Sequence, residues 1–277
     1  MTEVTVACCQ LGPLMGELEH NRAQTRGAIE AAARDGAKVV VLPELCNSGY
    51  AFADADEARR LAEPIDGATV TGWAELARSL DLVLVGGFCE IDPSGVVRNS
   101  AVLVDGDGVR ATYRKAHLWN REGLVFEAGS DPPPVVDTAV GRIGVMVCYD
   151  LEFPEWVRLA ALEEAELICA PVNWPAVPRP AGERPGEVVR VQAAAASNRV
   201  FIAACDRVGP ERGVDWIGGS LIVDVDGFPV AGPATSEQAV TLLARCRLES
   251  ARDKRLNEHN DVLADRRPEL YGGLVDA

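Results

Sequence analysis

Positive charge is scarce in this chain. Its 27 lysines and arginines face 42 aspartates and glutamates, giving a net charge of -15 and a pI near 4.7. Such a surface repels phosphates, which argues against nucleic acid or an anionic membrane surface as the main partner. Long apolar runs are missing as well: none approaches the roughly 18–20 residues that a membrane-spanning helix needs. The first residues hold no basic segment followed by an apolar one, so no secretory leader is visible and a cytoplasmic location is expected. The eight cysteines (Cys8, Cys9, Cys46, Cys89, Cys148, Cys169, Cys205, Cys246) include no Cys-x-x-Cys pair. That excludes the usual spacing of zinc sites and of a disulfide frame, and leaves free thiols. Histidine occurs only at 20, 117 and 259, and no heptad, solenoid period or low-complexity tract is present.

What remains is a globular composition. With 277 residues, 48% of them hydrophobic, the chain can bury the core of one large α/β domain or two small ones. Strand-like runs at 4–9, 39–42 and 82–88 alternate with helical stretches at 18–34 and within 54–80, the pattern of an α/β layered fold. Residues 99–104 and 109–115 flank Asp105-Gly106-Asp107-Gly108, a turn signal for an antiparallel hairpin, so the sheet is mixed. A second alternating series follows, with strands at 143–148, 167–170, 200–205 and 217–223 and helices near 154–164 and 187–197. The two series read as a possible internal duplication. The Pro-rich stretches at 132–134 and 175–185 are loops, too short and too apolar for domain linkers.

Three segments place a reactive side chain at or near a strand end, where open α/β sheets keep their chemistry. Val39-Val40-Val41-Leu42-Pro43-Glu44 delivers a carboxylate, although glutamates after strands also serve as helix caps. Thr112-Tyr113-Arg114-Lys115-Ala116-His117-Leu118 carries an ammonium and an imidazole, and also reads as an exposed basic strand end. Ile143-Gly144-Val145-Met146-Val147-Cys148 ends on a thiol, followed by Tyr149-Asp150 and the helix-like Phe153-Pro154-Glu155-Trp156. Buried thiols are mostly inert. A thiol, a carboxylate and an ammonium together make an acyl-transfer machine: Glu44 accepts the thiol proton, while Lys115 favours the thiolate and the charge on a carbonyl oxygen. The backbone N–H of Tyr149 is a candidate second oxyanion donor, each such donor being worth about 2.7–4 kcal/mol. Of the histidines, only His117 is placed to act as a base, or to orient a carboxylate by hydrogen bonding.

At these segments the chain resembles the nitrilase superfamily of carbon–nitrogen hydrolases, over residues 4–247. The matching pieces are Leu42-Pro43-Glu44 with Ser48-Gly49-Tyr50, then Tyr113-Arg114-Lys115-Ala116-His117-Leu118, then the run from Gly144 through Cys148-Tyr149-Asp150-Leu151-Glu152-Phe153-Pro154-Glu155. Each is weak alone; in this order, with gaps of 71 and 33 residues between Glu44, Lys115 and Cys148, the set is specific. The resemblance implies a Glu44-Lys115-Cys148 triad on a four-layer αββα sandwich with mixed sheets, homodimers or higher homo-oligomers, and no metal or organic cofactor. It implies a second glutamate holding Lys115 and the substrate amide, at Glu122 rather than the competing Glu127. It also divides the chain into a hydrolase domain at 1–250 and a C-terminal extension at 251–277 that contributes to subunit contacts; a solvated tail is the plainer reading of those residues.

True nitrilases usually carry Cys-Trp-Glu where this chain has Cys148-Tyr149-Asp150, which favours an amidase. Carbamoylases of amino-acid derivatives and omega-amidases place basic residues where Leu151-Glu152 stands, which disfavours an anionic substrate. The expected activity is hydrolysis of a small neutral or cationic carboxamide. The alternatives are an N-carbamoyl amine hydrolase, an omega-amidase, a nitrilase, or a scaffold protein retaining the fold. Glu152 either faces the substrate or is a helix first-turn residue favoured by the dipole. Tyr50, Trp119, Asn173 and Trp174 are expected in the pocket wall, the aromatics among them being equally suited to packing.

Overall fold

The computed structural model describes residues 3–274. The ends of the two expected domains, residues 1–2 and 275–277, lie outside the described residues. The central strand-like runs are almost continuously apolar because these strands are buried on both faces. In β1 (Val4–Gln10), Val4, Val6 and Cys8 point to the central core while Ala7 and Cys9 point the other way. The same alternation runs through β2 (Val39–Val41) and β3 (Val83–Ile91): Val39, Val41, Val83 and Val85 face inward, Val40 and Leu84 outward.

Helices cover the outer face. In α1 (Leu18–Arg34), buried Asn21, Thr25, Ile29 and Ala32 recur at helical spacing. The stretch at 54–80 divides into α2 (Ala55–Leu61), capped by Asp54, and α3 (Ala68–Leu80), with Pro64 and Gly67 in the break. Trp73 of α3 and Ile29 of α1 pack against Val40, Leu84 and Val102.

The hairpin forms from β4 (Val97–Asp105) and β5 (Gly108–Arg114), turning at Gly106-Asp107. The second series gives β6 (Val135–Thr138), β7 (Gly141–Val145), α4 (Pro154–Leu162), β8 (Leu167–Pro171), α5 (Gly186–Asn198), β9 (Phe201–Cys205), β10 (Leu221–Val223), β11 (Pro229–Ala231) and β12 (Val240–Cys246). The first sheet has the order β12-β1-β2-β3-β4-β5 and the second β11-β10-β9-β8-β7-β6. In each, three parallel strands are flanked by antiparallel ones. The inner faces pack together, and α4 and α5 cover the second sheet through Val157, Ala160, Val188 and Val191. This is the expected four-layer αββα sandwich.

The run at 217–223 is strand only from Leu221, because Gly218 takes a φ of +63° and breaks the extended chain. The tail is fastened to the body: Arg158 donates to the Val262 carbonyl at 3.0 Å, and Lys254 to that of Arg199 at 2.8 Å. No helix among the described residues is long and apolar enough to cross a membrane.

Candidate active site

Chain segments leaving β2, β5, β7 and β8 converge at one end of the sandwich. Past β2 the backbone stays bonded to β3: Leu42 N–H donates to Val85 O at 2.9 Å and Cys46 N–H to Gly87 O at 3.0 Å. This fixes Glu44, and the approach is so close that a Cβ on Gly87 would lie 2.5 Å from the Glu44 Cα. Lys115 follows β5, its N–H bonded to Asn99 O at 2.9 Å. Its Nζ sits 2.8 Å from Glu44 Oε1 and 2.8 Å from Glu122 Oε1. All three are buried. Tyr50 donates its hydroxyl to Glu122 Oε1 at 2.6 Å, and the Trp119 N–H donates to Glu122 Oε2 at 2.9 Å.

Cys148 does not end a strand, as the apolar run suggested. β7 stops at Val145, and Cys148 opens a 3₁₀ turn with a φ of +48°. A side chain in that left-handed region is strained, and such strain collects at functional turns. The turn is held by Asp150, which is fully buried. Its Oδ2 accepts from the Val147 N–H at 3.0 Å and the Tyr113 hydroxyl at 2.8 Å. Its Oδ1 lies 2.7 Å from His117 Nδ1 and accepts the His117 N–H at 3.1 Å. His117, stacked on Phe153 at 3.8 Å, thus orients a carboxylate, that of Asp150. Asp150 thereby ties the lysine segment to the cysteine turn.

The Cys148 thiol lies 3.8 Å from the Asn173 carbonyl, and Asn173 Nδ2 donates to the Glu44 carbonyl at 2.9 Å. At 6% exposure Cys148 is the one cysteine with appreciable solvent access; the other seven are at 1% or below. Burial pushes the Glu44 carboxyl up to about 7, against the pull of the Lys115 charge. Burial, with the charge of Glu44, holds the thiol well above its ordinary value, Lys115 acting in the opposite sense. Burial alone would lower the Lys115 pKa, but the carboxylates of Glu122 and Glu44 outweigh it and keep the ammonium charged. The resting arrangement is a neutral thiol beside a carboxyl group that titrates near neutrality. Glu44 Oε1 is taken by Lys115 and by Asn99 Nδ2 at 2.7 Å, while buried Oε2 has no hydrogen-bond partner among the described residues.

Glu127 stands apart, exposed and 3.5 Å from Arg98. Glu152 points to Arg190 at 3.4 Å and does not line the cavity at the site. That cavity, about 500 Å³, is walled by Tyr50, Trp119, Phe126, Pro175 and Trp216, with Glu122 in its lining. Trp174, expected in the wall, packs in the core instead, its N–H bonded to Asp206 at 3.0 Å. Asn173, also expected in the wall, is buried against Cys148 and Glu44 and is not in the lining, whereas Trp216, not expected there, is. A larger cavity of about 770 Å³ lies at the amino ends of the parallel strands, far from these residues. Its basic side chains Lys38, Arg110 and Arg252 are each paired with a carboxylate. No cluster of three or more metal-ligating side chains occurs among the described residues.

A family model described as carbon–nitrogen hydrolase matches residues 5–255. The chain belongs to the carbon–nitrogen hydrolase family. It is 37% identical to a nitrilase of Pyrococcus abyssi over 97% of this chain and 99% of that one. With an (R)-stereoselective amidase of a Pseudomonas species the identity is 32%, over 95% and 91%. The crystal structure of an amidase from Nesterenkonia superposes with a TM-score of 0.79 at 27% identity, covering 98% of this chain and 96% of that one. A glutamate-to-glutamine mutant of that amidase carries the acetamide moiety of fluoroacetamide on its active-site cysteine.

Among this hydrolase's own residues, Asn99, Asp150 and Trp216 were not singled out from the sequence. Asp150 stood within the cysteine motif, so the signal was present; Asn99 and Trp216 act through partners more than 50 residues away.

Proposed function

We propose that this hydrolase is an amidase that converts a small neutral carboxamide to the carboxylic acid and ammonia through a thioester on Cys148. The observation that carries the reading is the buried Glu44–Lys115–Glu122 chain, 2.8 Å at each link, with one Glu44 oxygen unpartnered and Cys148 on the strained turn beside it. Glu44 takes the thiol proton as Sγ attacks the carbonyl carbon, and the Lys115 ammonium and the Tyr149 N–H receive the developing oxyanion. Glu44 then gives its proton to the nitrogen, the C–N bond breaks and ammonia leaves. Water, deprotonated by Glu44, attacks the thioester; the C–S bond breaks and the thiol is regenerated. Glu122 holds Lys115 and accepts from the substrate amide. The acetamide adduct on the cysteine of the Nesterenkonia amidase supports the first element of this route, a nucleophilic thiol at that position; the route uses no metal or organic cofactor.

A neutral substrate is favoured over a cationic one because the Glu152 charge is answered by Arg190 at 3.4 Å. An N-carbamoyl amine hydrolase, an omega-amidase and a nitrilase are the competing activities. Ammonia release from a primary amide, a carbamoyl amine, a carboxylate-bearing amide and a nitrile decides among them, with Cys148→Ala as control. The amide is expected to be turned over, and the variant to lose at least about a thousandfold; an unchanged rate refutes the nucleophile. We further place the enzyme in the cytoplasm, as a homodimer or larger homo-oligomer with 251–277 as an extension at a subunit contact. Exposed Leu270 and Leu274 support the contact, and light scattering of the full chain and a chain ending at 250 tests it.

A further inference from the structure

We infer that the cavity beside Glu122 receives the acyl portion of an amide bearing an aromatic or similarly bulky apolar group, and that Trp216 sets this preference. The inference rests on the amidase reading and deepens it by naming the substrate class.

The location follows from two contacts. Glu122, in the cavity lining, touches the Lys115 ammonium, and Pro175, also in the lining, lies two residues beyond Asn173, whose carbonyl meets the Cys148 thiol. A carboxamide held between Lys115 and Cys148 therefore extends its acyl group into this space.

The walls are apolar, formed by Phe52, Trp119, Phe126, Val214 and Trp216. Two of the three charges there are already answered, while Arg121, exposed at the rim, has no ion-pair partner among the described residues. Glu122 is paired with Lys115 and already accepts from Tyr50 and Trp119, leaving room only for the substrate amide at Oε2, and Arg212 at the rim is bound to the two oxygens of Glu57 at 2.6 and 2.7 Å. A cationic acyl chain would lose its hydration and find no free carboxylate inside, and an anionic one would find only Arg121 at the exposed rim. A volume of about 500 Å³ suits a ring-sized group, whereas a methyl or ethyl group leaves most wall atoms without contacts.

The walls are also fastened to each other. Trp216 meets the Tyr50 ring edge-on at 5.2 Å, and the Arg207 guanidinium lies 4.9 Å from its ring centre. Arg207 is buried and bonded to Glu211 Oε1 at 2.7 Å and to the Pro13 carbonyl at 2.9 Å. The other Glu211 oxygen accepts the N–H groups of Tyr50 at 2.8 Å and Ala51 at 2.6 Å. One buried ion pair thus holds both Trp216 and Tyr50, so the slot exists before the ligand arrives and little ordering entropy is lost on binding.

The test compares phenylacetamide, propionamide, 4-aminobutyramide and succinamic acid as substrates, by ammonia release. Phenylacetamide is expected to exceed propionamide in kcat/KM at least about tenfold, and Trp216→Ala to shrink that ratio at least about fivefold, mainly through KM. Binding of the same amides to Cys148→Ala, by calorimetry, needs no turnover and is expected to show the same order. The inference is overturned if propionamide equals phenylacetamide, or if Trp216→Ala weakens all amides alike. It is also overturned if succinamic acid is preferred, which would assign the rim to exposed Arg121 as an anion receptor. Should no amide turn over, the amidase reading fails; the binding order in Cys148→Ala then still decides the character of the cavity.

Discussion

Replacing Asp150 by asparagine isolates the residue that joins the lysine segment to the cysteine turn. Asp150 is fully buried; one of its oxygens accepts from Val147 N–H and Tyr113 OH, and the other accepts from His117 N–H and lies 2.7 Å from His117 Nδ1. Whichever way an amide is turned, its NH₂ group meets donors on one side. At least one backbone N–H is then stranded at about 1–3 kcal/mol, and the buried network loses its carboxylate charge, for a total of roughly 3–5 kcal/mol. In a chain of this length about 2 °C of Tm corresponds to 1 kcal/mol, so a fall of roughly 6–10 °C is expected in calorimetry. Activity should fall further than stability explains. At a temperature where the variant remains folded, kcat is expected to drop at least about tenfold, because a shift of about 1 Å in the Cys148 turn misaligns attack. A variant within about 1 kcal/mol of wild type, with unaltered kcat, would refute the strut role.

Because the Glu44 carboxyl is raised to about 7, kcat/KM should rise with pH and level off above about 7, and a profile flat between pH 5 and 8 would contradict the assigned base. The same shift has a stability consequence: the native state keeps a proton that the unfolded chain releases near 4.5, so this group's contribution is full below about 4.5 and is lost as pH rises through about 7. Glu44→Gln should remove that slope in urea titrations. Iodoacetamide on the native protein should label Cys148 alone, since the other seven cysteines are at most 1% exposed; labelling of a different cysteine first would overturn the access argument. Gly87→Ala places a Cβ against the Glu44 backbone at 2.5 Å and should cost about 1–3 kcal/mol in denaturant unfolding, together with activity; a neutral outcome would show that the strand can yield.

The layered fold was legible because its strands are buried on both faces and read as continuous apolar runs. β6, β11 and β12 escaped notice. β6 and β11 have four and three residues, and β12, Val240–Cys246, is half exposed, with Arg245 interrupting its apolar pattern. Glu44, Lys115 and Cys148 were legible as strand-end residues of complementary chemistry, and Glu122 only through a family resemblance. The strained turn at Cys148 was invisible because a left-handed backbone at a residue other than glycine leaves no mark in composition. Trp174 and Trp216 exchanged places for a similar reason. Trp174 is adjacent to a strand end in sequence, but Asp206 turns its backbone into the core, whereas Trp216 arrives on a loop clamped by Arg207 and Glu211.

The central claim is that Cys148 becomes acylated. Intact-mass spectrometry of the unaltered enzyme, acid-quenched during turnover of a slow amide, measures it directly. The account predicts a single adduct equal to the acyl group replacing one hydrogen, mapped by peptide digestion to Cys148, absent in Cys148→Ala and absent in Glu44→Gln, which lacks the proton carrier for acylation. An adduct on another residue, or ammonia release persisting in Cys148→Ala, would contradict it.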